Sequence, residues 1–230
     1  MEHTIVLRRL GGAVLALGGV GSFLAGALHP QGPSGTFPEA MASMLASPTW
    51  QAAHWLAVAS TLTILWALWL MLDSGWTKDS LVGQAGARLV LLAGLFMAVQ
   101  FAVELAAAPE ASAYAAGTAA PMGGLVEAMQ AVGWPAFMLG YVILIFGVPT
   151  SAPAAVRAAG VVGASAIGLG GFLTEGLHIA AAGPLFIGGN LLALWLVWSG
   201  IAAARHGQAT AIVVRRIERG EPALTTIETT

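Results

Sequence analysis

The sequence predicts an all-α protein of the membrane, a bundle of six transmembrane helices with both termini in the cytoplasm. Of the 230 residues, 57% are hydrophobic and only 9% are charged, whereas a soluble domain carries about 25% charged residues. The apolar residues form six runs, each long enough to cross a hydrocarbon core of about 30 Å. The basic residues are confined to alternate ends of those runs. Together these observations predict the fold class and the orientation.

Each apolar run is predicted to be an α-helix, because backbone groups in lipid must form their hydrogen bonds within their own segment. The predicted spans are Leu10–Leu28, Gln51–Leu72, Leu81–Ala107, Met122–Val148, Ala154–Ala181 and Leu185–Ala204. The chain contains 30 glycines, which let such helices approach one another closely. We therefore expect residues 1–204 to form the transmembrane domain and residues 205–230 to form a partly disordered cytoplasmic tail.

The positions of Lys and Arg predict how the chain crosses the membrane. All nine basic residues lie before the first span, around the second and fourth connections, or after the sixth span. By the positive-inside rule, these parts face the cytoplasm. The sequence therefore predicts a multi-pass protein of the cell membrane whose first, third and fifth connections lie outside. Within the first connection, the segment from Pro38 to Ser47 is predicted to form a short helix on the membrane surface.

Six histidine and glutamate residues stand inside the apolar runs or at their ends. Such groups cost about 2.5–3.5 kcal/mol for Asp, Lys or Arg at a span centre, so they usually face the bundle interior and serve a function. With the predicted orientation and a rise of about 1.5 Å per residue, all of them lie within about 10 Å of the outer boundary. The sequence therefore predicts one polar layer near the outer face. Its members are His29, His54, Glu104, Glu127, Glu175 and His178.

The composition of this layer predicts a metal site. Glu175 and His178 are three residues apart, which predicts that they share one helix face. Ferritin-like di-iron bundles use two Glu-x-x-His pairs, and this chain has one such pair, so it does not match that family. Imidazoles and carboxylates together suit one or two divalent ions of Fe, Zn, Cu or Mn. Gln100, Gln130 and Asn190, at neighbouring levels, are expected to support the ligands.

Three functions remain open from the sequence. A metalloenzyme, either an oxidoreductase or a hydrolase, would act on a lipophilic or small substrate, with Glu104 and Glu127 as the candidate catalytic bases. A b-type haem held by two of the three histidines, for example His54 and His178, would instead make an electron-transfer protein, although three glutamates and no Lys or Arg near the outer face are unfavourable to haem propionates. A proton- or cation-coupled transporter would normally bind its substrate near the midplane.

The same residues also have structural interpretations. His29 before Pro30 and His54 between Trp50 and Trp55 fit an interfacial belt, and the glutamates would then only clamp helices together. The chain contains no Cys, which excludes disulfides and thiolate ligands. Its basic residues form no nucleic-acid-binding patch. The expected partners are membrane lipids, a lipophilic substrate, and further copies of the chain or a larger membrane complex.

Two short motifs carry a resemblance to other proteins. The triplet "LHP" (Leu28–Pro30) follows the first span, and "WQAAHW" (Trp50–Trp55) opens the second. In this pattern the chain resembles six-span integral membrane proteins of bacteria. The resemblance implies the six-span fold and implies no particular activity.

Overall fold

The protein is built from six long helices with short helical segments between them. A computed structural model describes residues 2–32, 36–118, 120–148 and 152–218. The chain is 87% helical, with no strand in those ranges. Six helices are long and apolar enough to cross a membrane, so the predicted fold class of a multi-pass all-α bundle is confirmed. The elements are α1 (Glu2–Leu28), α2 (Phe37–Leu45), α3 (Trp50–Asp73), α4 (Leu81–Ala107), a 3₁₀ turn (Ala108–Glu110), α5 (Ala111–Ala116), α6 (Pro121–Gly147), α7 (Ala154–Gly171), a π-helical turn (Phe172–Gly176), a 3₁₀ segment (Ala180–Ile187) and α8 (Gly188–Glu218).

The six long helices pack in chain order into a closed ring. Helix α1 packs against α3 and α8, α4 packs against α3 and α6, and α7 packs against α6 and α8. Buried apolar side chains from all six of these helices meet in the main core, among them Leu15, Leu68, Leu144 and Trp195. The ring therefore encloses one continuous apolar core rather than an open channel through these residues.

Glycine allows the helices of the ring to approach closely, as the sequence predicts. Gly12 of α1 faces Gly200 of α8, and a Cβ atom built on either one would lie 2.5 Å from the carbonyl oxygen of the other. No side chain fits in that space, so the two backbones touch directly. Any larger residue at either position would push α1 and α8 apart.

The short helix predicted in the first connection is present as α2. Pro38 stands in its first turn, where a missing N–H costs nothing. The Glu39 carboxylate accepts hydrogen bonds of 2.9 Å from both the backbone N–H and the hydroxyl of Thr36, and these bonds lower the pKa of Glu39. Helix α2 packs against α5 and the adjacent 3₁₀ turn. Its buried residues Met41 and Leu45 belong to a second, smaller apolar cluster.

Several predicted boundaries differ from the structure. The first helix begins at Glu2 rather than at Leu10. The fifth span was expected to be one helix to Ala181, but α7 ends at Gly171 and is followed by the π-helical turn. Glycine-rich sequence here lowers the helix propensity. Helix α8 continues from Gly188 to Glu218, past the predicted end of the sixth span at Ala204. The last part of the predicted tail, residues 219–230, lies outside the described residues.

Candidate functional site

A small cavity beneath α2, at one end of the ring, brings together four of the six predicted site residues. His29, His54, Glu104 and Glu175 all line it. The space open to the centre of a water molecule is about 20 Å³, which is enough for a water molecule or one ion. We call it the α2 cavity. Its other lining residues are Met41, Met44, Leu45, Trp50, Ala107, Tyr114, Gly123, Val126 and Gln130.

A buried histidine–glutamate pair forms part of the cavity wall. His54 Nε2 is 2.9 Å from Glu104 Oε2, and the two side chains are only 3% and 6% exposed. His54 Nδ1 lies 2.9 Å from the carbonyl oxygen of Trp50. A carbonyl oxygen can only accept, so Nδ1 carries a hydrogen. In the neutral ring, Nε2 then carries the lone pair. Because Glu104 Oε2 is also an acceptor, a proton or another cation must lie between these two atoms.

Three further donors fix Glu104 in place. Gln100 Nε2 and Gln130 Nε2 donate to Glu104 Oε1 at 2.9 and 3.0 Å. Trp50 Nε1 donates to the backbone oxygen of Glu104 at 3.3 Å. Gln100 and Gln130 therefore support the carboxylate as the sequence predicts, whereas Asn190 is exposed. With Oε1 saturated by amides, Oε2 is the atom that Glu104 presents to His54.

The other two cavity residues also present acceptor atoms. His29 Nδ1 lies 3.0 Å from the carbonyl oxygen of Pro30, so the same argument leaves the lone pair of its neutral ring on Nε2. The His29 and His54 ring centroids are 5.1 Å apart. Glu175 Oε2 accepts a hydrogen bond of 2.6 Å from Trp134 Nε1. The cavity wall therefore combines two imidazoles and two carboxylates.

The remaining two predicted residues form a separate pair beside the cavity, which we call the rim pair. His178 Nε2 lies 3.6 Å from Glu127 Oε2, and these side chains are 44% and 31% exposed. Tyr114, which lines the cavity, donates its hydroxyl to Glu127 Oε1 at 3.3 Å. The His178 ring stacks on Phe37 of α2, with centroids 4.0 Å apart and planes 7° from parallel. All six predicted residues thus lie at one end of the ring, in two clusters.

The prediction that Glu175 and His178 share one helix face is wrong. Glu175 belongs to the π-helical turn, whose wider geometry is marked by the hydrogen bond from Leu177 N to the Phe172 oxygen at 3.0 Å. His178 follows with a left-handed backbone, φ 57°, a conformation that histidine adopts more readily than bulkier residues. The break directs Glu175 to the cavity and His178 to the rim.

The donor set of the cavity is suited to a metal ion, although its atoms do not form a complete site as they stand. In residues 2–32, 36–118, 120–148 and 152–218, no three His, Cys, Asp or Glu side chains converge on one point for a metal. Two ligands of a tetrahedral Zn²⁺ with bonds of about 2.0–2.1 Å stand about 3.3 Å apart. The distance of 2.9 Å between His54 and Glu104 would therefore have to widen by about 0.4 Å to admit an ion.

Sequence reasoning missed the part that tryptophan plays in the site. Trp50 fits an interfacial belt by its position, yet it is 3% exposed and its ring lies 3.8 Å from that of His54, centroid to centroid. Trp134 fills the space beside Gly171 and holds Glu175. For Trp50 the sequence did contain a signal. Trp50 precedes His54 by one helical turn, and a buried indole N–H needs a hydrogen-bond acceptor nearby.

Comparisons with known proteins give no family assignment: no family model, no curated protein and no solved structure matches the chain. The fold and the cavity alone therefore describe the class to which it belongs, a six-helix membrane protein with a buried histidine–glutamate pair beneath a short surface helix.

Proposed function

We propose that the protein is a metal-binding protein of the cell membrane, with both termini cytoplasmic, that holds a divalent transition-metal ion in the α2 cavity near the outer face. One observation carries the proposal. His29 and His54 both direct Nδ1 at a backbone carbonyl oxygen, so each ring would offer Nε2 to an ion, which in the case of His54 would replace the proton shared with Glu104 Oε2. Metal-binding histidines commonly use one ring nitrogen for such a hydrogen bond and the other for the ion.

The surroundings of Glu104 support the same proposal. Ligating carboxylates are usually held by hydrogen bonds of their own, and Gln100 and Gln130 supply two of these. Both amide oxygens are buried without a hydrogen-bond partner in the described structure. Gln130 lines the cavity, so its amide oxygen adds an unpaired acceptor there that a cation would offset.

The distribution of charge supports the orientation. Helix α3 begins at the cavity with Trp50 and ends at Asp73, so Lys78 lies at the opposite end of the ring. Helix α6 runs in the same direction, which puts Arg157 at that opposite end as well. Basic connections face the cytoplasm, and the cavity would then open outward.

The cavity favours a single ion over the two alternatives. Its volume of about 20 Å³ has no room for a porphyrin, and His54 and His178 lie in different clusters rather than facing one another. A transporter needs a polar route through the bundle. Leu15, Leu68 and Leu144 instead belong to a core without exposed surface in the middle of the ring.

For the activity, we propose an oxidoreductase or hydrolase that acts on a small or lipophilic substrate. A bound metal ion would supply Lewis acidity or activate water. Glu104 is already engaged with His54 and two amides, which suits it to orient and hold the ion. Glu127 is partly exposed and bonded to Tyr114, and this contact with both solvent and the cavity wall suits it to exchange protons as the base.

Metal content of matched variants tests the binding site. We expect the purified protein to bind one Co²⁺ or Zn²⁺ ion, measured by elemental analysis and the Co²⁺ absorption spectrum. His54→Gln and Glu104→Gln should weaken binding at least tenfold. The controls are the same substitutions in the rim pair, His178→Gln and Glu127→Gln, which should leave affinity within about twofold.

The comparison of metal affinities requires variants that elute as folded protein in detergent. A natural protein without metal affinity, or equal loss in cavity and rim variants, would refute the proposed site. A Soret band in the absorption spectrum would favour haem instead.

Single cysteines test the orientation, because the chain contains no Cys of its own. Ala46 follows α2 at the cavity end, and Asp79 lies in the connection at the opposite end; both residues are exposed. In intact cells, a membrane-impermeant maleimide should label Ala46→Cys, and Asp79→Cys should react only after permeabilisation. The reverse pattern would overturn the predicted topology.

A further inference from the structure

Two methionines of α2 line the cavity together with its histidines. Met41 and Met44 are three residues apart, which places them on the same face of the helix, and both belong to the cavity wall. Met41 is buried, with 5% of its surface exposed. The short helix therefore contributes two methionine side chains to the wall of the same small space that His29 and His54 line.

A methionine in a core usually serves to fill irregular space, and Met71 at the other end of α3 illustrates that use, fully buried in the main apolar core. Met41 and Met44 differ from Met71 in their neighbours. Their cavity is also lined by two imidazoles, each with Nδ1 held by a backbone carbonyl oxygen. A thioether beside such groups can act as a ligand as well as a filler.

The combination of donors discriminates among metal ions. Thioethers are soft ligands that select Cu(I), whereas carboxylates and water suit Mg, Ca and Mn, and imidazole suits Zn, Cu, Fe and Ni. Of the four ions left open by the sequence, copper is the one that uses the imidazole, carboxylate and thioether groups of this cavity. Glu104 and Glu175 would suit copper supplied as the divalent ion Cu(II), and the methionines would suit copper supplied as Cu(I).

We propose that the ion of the α2 cavity is copper, and that Met41 and Met44 join His29 and His54 in holding it as Cu(I). This inference rests on the proposed metal-binding function and makes it more specific. It assigns to α2 a role in selecting the ion, in addition to covering the cavity. Zn²⁺ affinity should then depend on the histidines and Glu104, and Cu(I) affinity should depend on the methionines as well.

The experiment measures Cu(I) affinity anaerobically against a chromophoric Cu(I) chelator, and Zn²⁺ affinity against a fluorescent Zn²⁺ chelator. The variant Met41→Leu/Met44→Leu conserves side-chain volume and should fold normally. We expect it to lose at least tenfold in Cu(I) affinity and to keep Zn²⁺ affinity within about threefold. Met71→Leu is the matched control and should change neither value.

The outcomes separate this inference from the proposed function. Wild-type Cu(I) affinity in the double leucine variant would overturn the role of the methionines, and so would equal losses for Cu(I) and Zn²⁺. Protein that binds Zn²⁺ but not Cu(I) would refute copper and retain the metal site. Protein that binds neither ion would refute the metal site itself.

Discussion

Two histidine–glutamate pairs lie at the same end of this molecule, and they differ in almost every physical respect. His54 and Glu104 are buried, 2.9 Å apart and held by neighbouring amide and backbone groups. His178 and Glu127 are partly exposed and 3.6 Å apart, with a tyrosine and a stacked phenylalanine as neighbours. The same two residue types therefore form a rigid site in one place and a loose surface contact in the other.

The two pairs differ in geometry because they differ in exposure to water. A buried charged or polar pair must satisfy each of its atoms within the protein, because an unpaired group there is costly. The supporting side chains of Glu104 are the consequence. Water screens the rim pair and competes for its atoms, so its geometry is free to vary. On these grounds the proposed metal ligands belong to the buried pair, and the proposed base, Glu127, belongs to the rim pair.

The largest expected effect is on stability. Glu104→Ala leaves His54, Gln100 and Gln130 without their partner, and removing one member of a buried pair costs about 3–5 kcal/mol. Glu127→Ala in the partly exposed rim pair should cost about 0–1 kcal/mol. Denaturant titration of the detergent-solubilised protein measures both values. Similar losses of unfolding free energy in the two variants would show that the buried pair is no more important to stability than the rim pair.

A smaller effect is expected on access to the cavity. The stacked contact between Phe37 and His178 connects α2 to the turn after α7, and aromatic pairs contribute about 0.5–1.5 kcal/mol. In an Ala107→Cys background, whose single thiol lines the cavity, Phe37→Ala should raise the reaction rate with a small thiol reagent about two- to tenfold.

The control for this measurement is Phe146→Ala, which removes a ring that is 63% exposed near the far end of α6. It should leave the reaction rate of the cavity thiol unchanged. Equal reaction rates of the Ala107→Cys thiol with and without the Phe37 ring would show that the contact between Phe37 and His178 does not hold α2 over the cavity.

Much of the fold was predictable because the bilayer imposes few solutions on an apolar chain. Runs of the right length must be helices, and α2 could be read from its own sequence since Pro38 and Glu39 mark a helix start. The break after Gly171 was missed. Periodicity does not distinguish an α-helical turn from a π-helical one, so the directions of Glu175 and His178 could not be read from their spacing.

By itself, the sequence determined the six helices and identified the ionisable residues that meet at one end, because both follow from the cost of placing polar groups in an apolar medium. Only the tertiary structure decided that Glu104 pairs with His54 and Glu127 with His178, and that Trp50, Trp134 and the methionines of α2 belong to the site. These choices depend on how each helix is rotated within the ring. That rotation is set by contacts between side chains far apart in the chain, such as Trp50 and Glu104, and no local pattern records it.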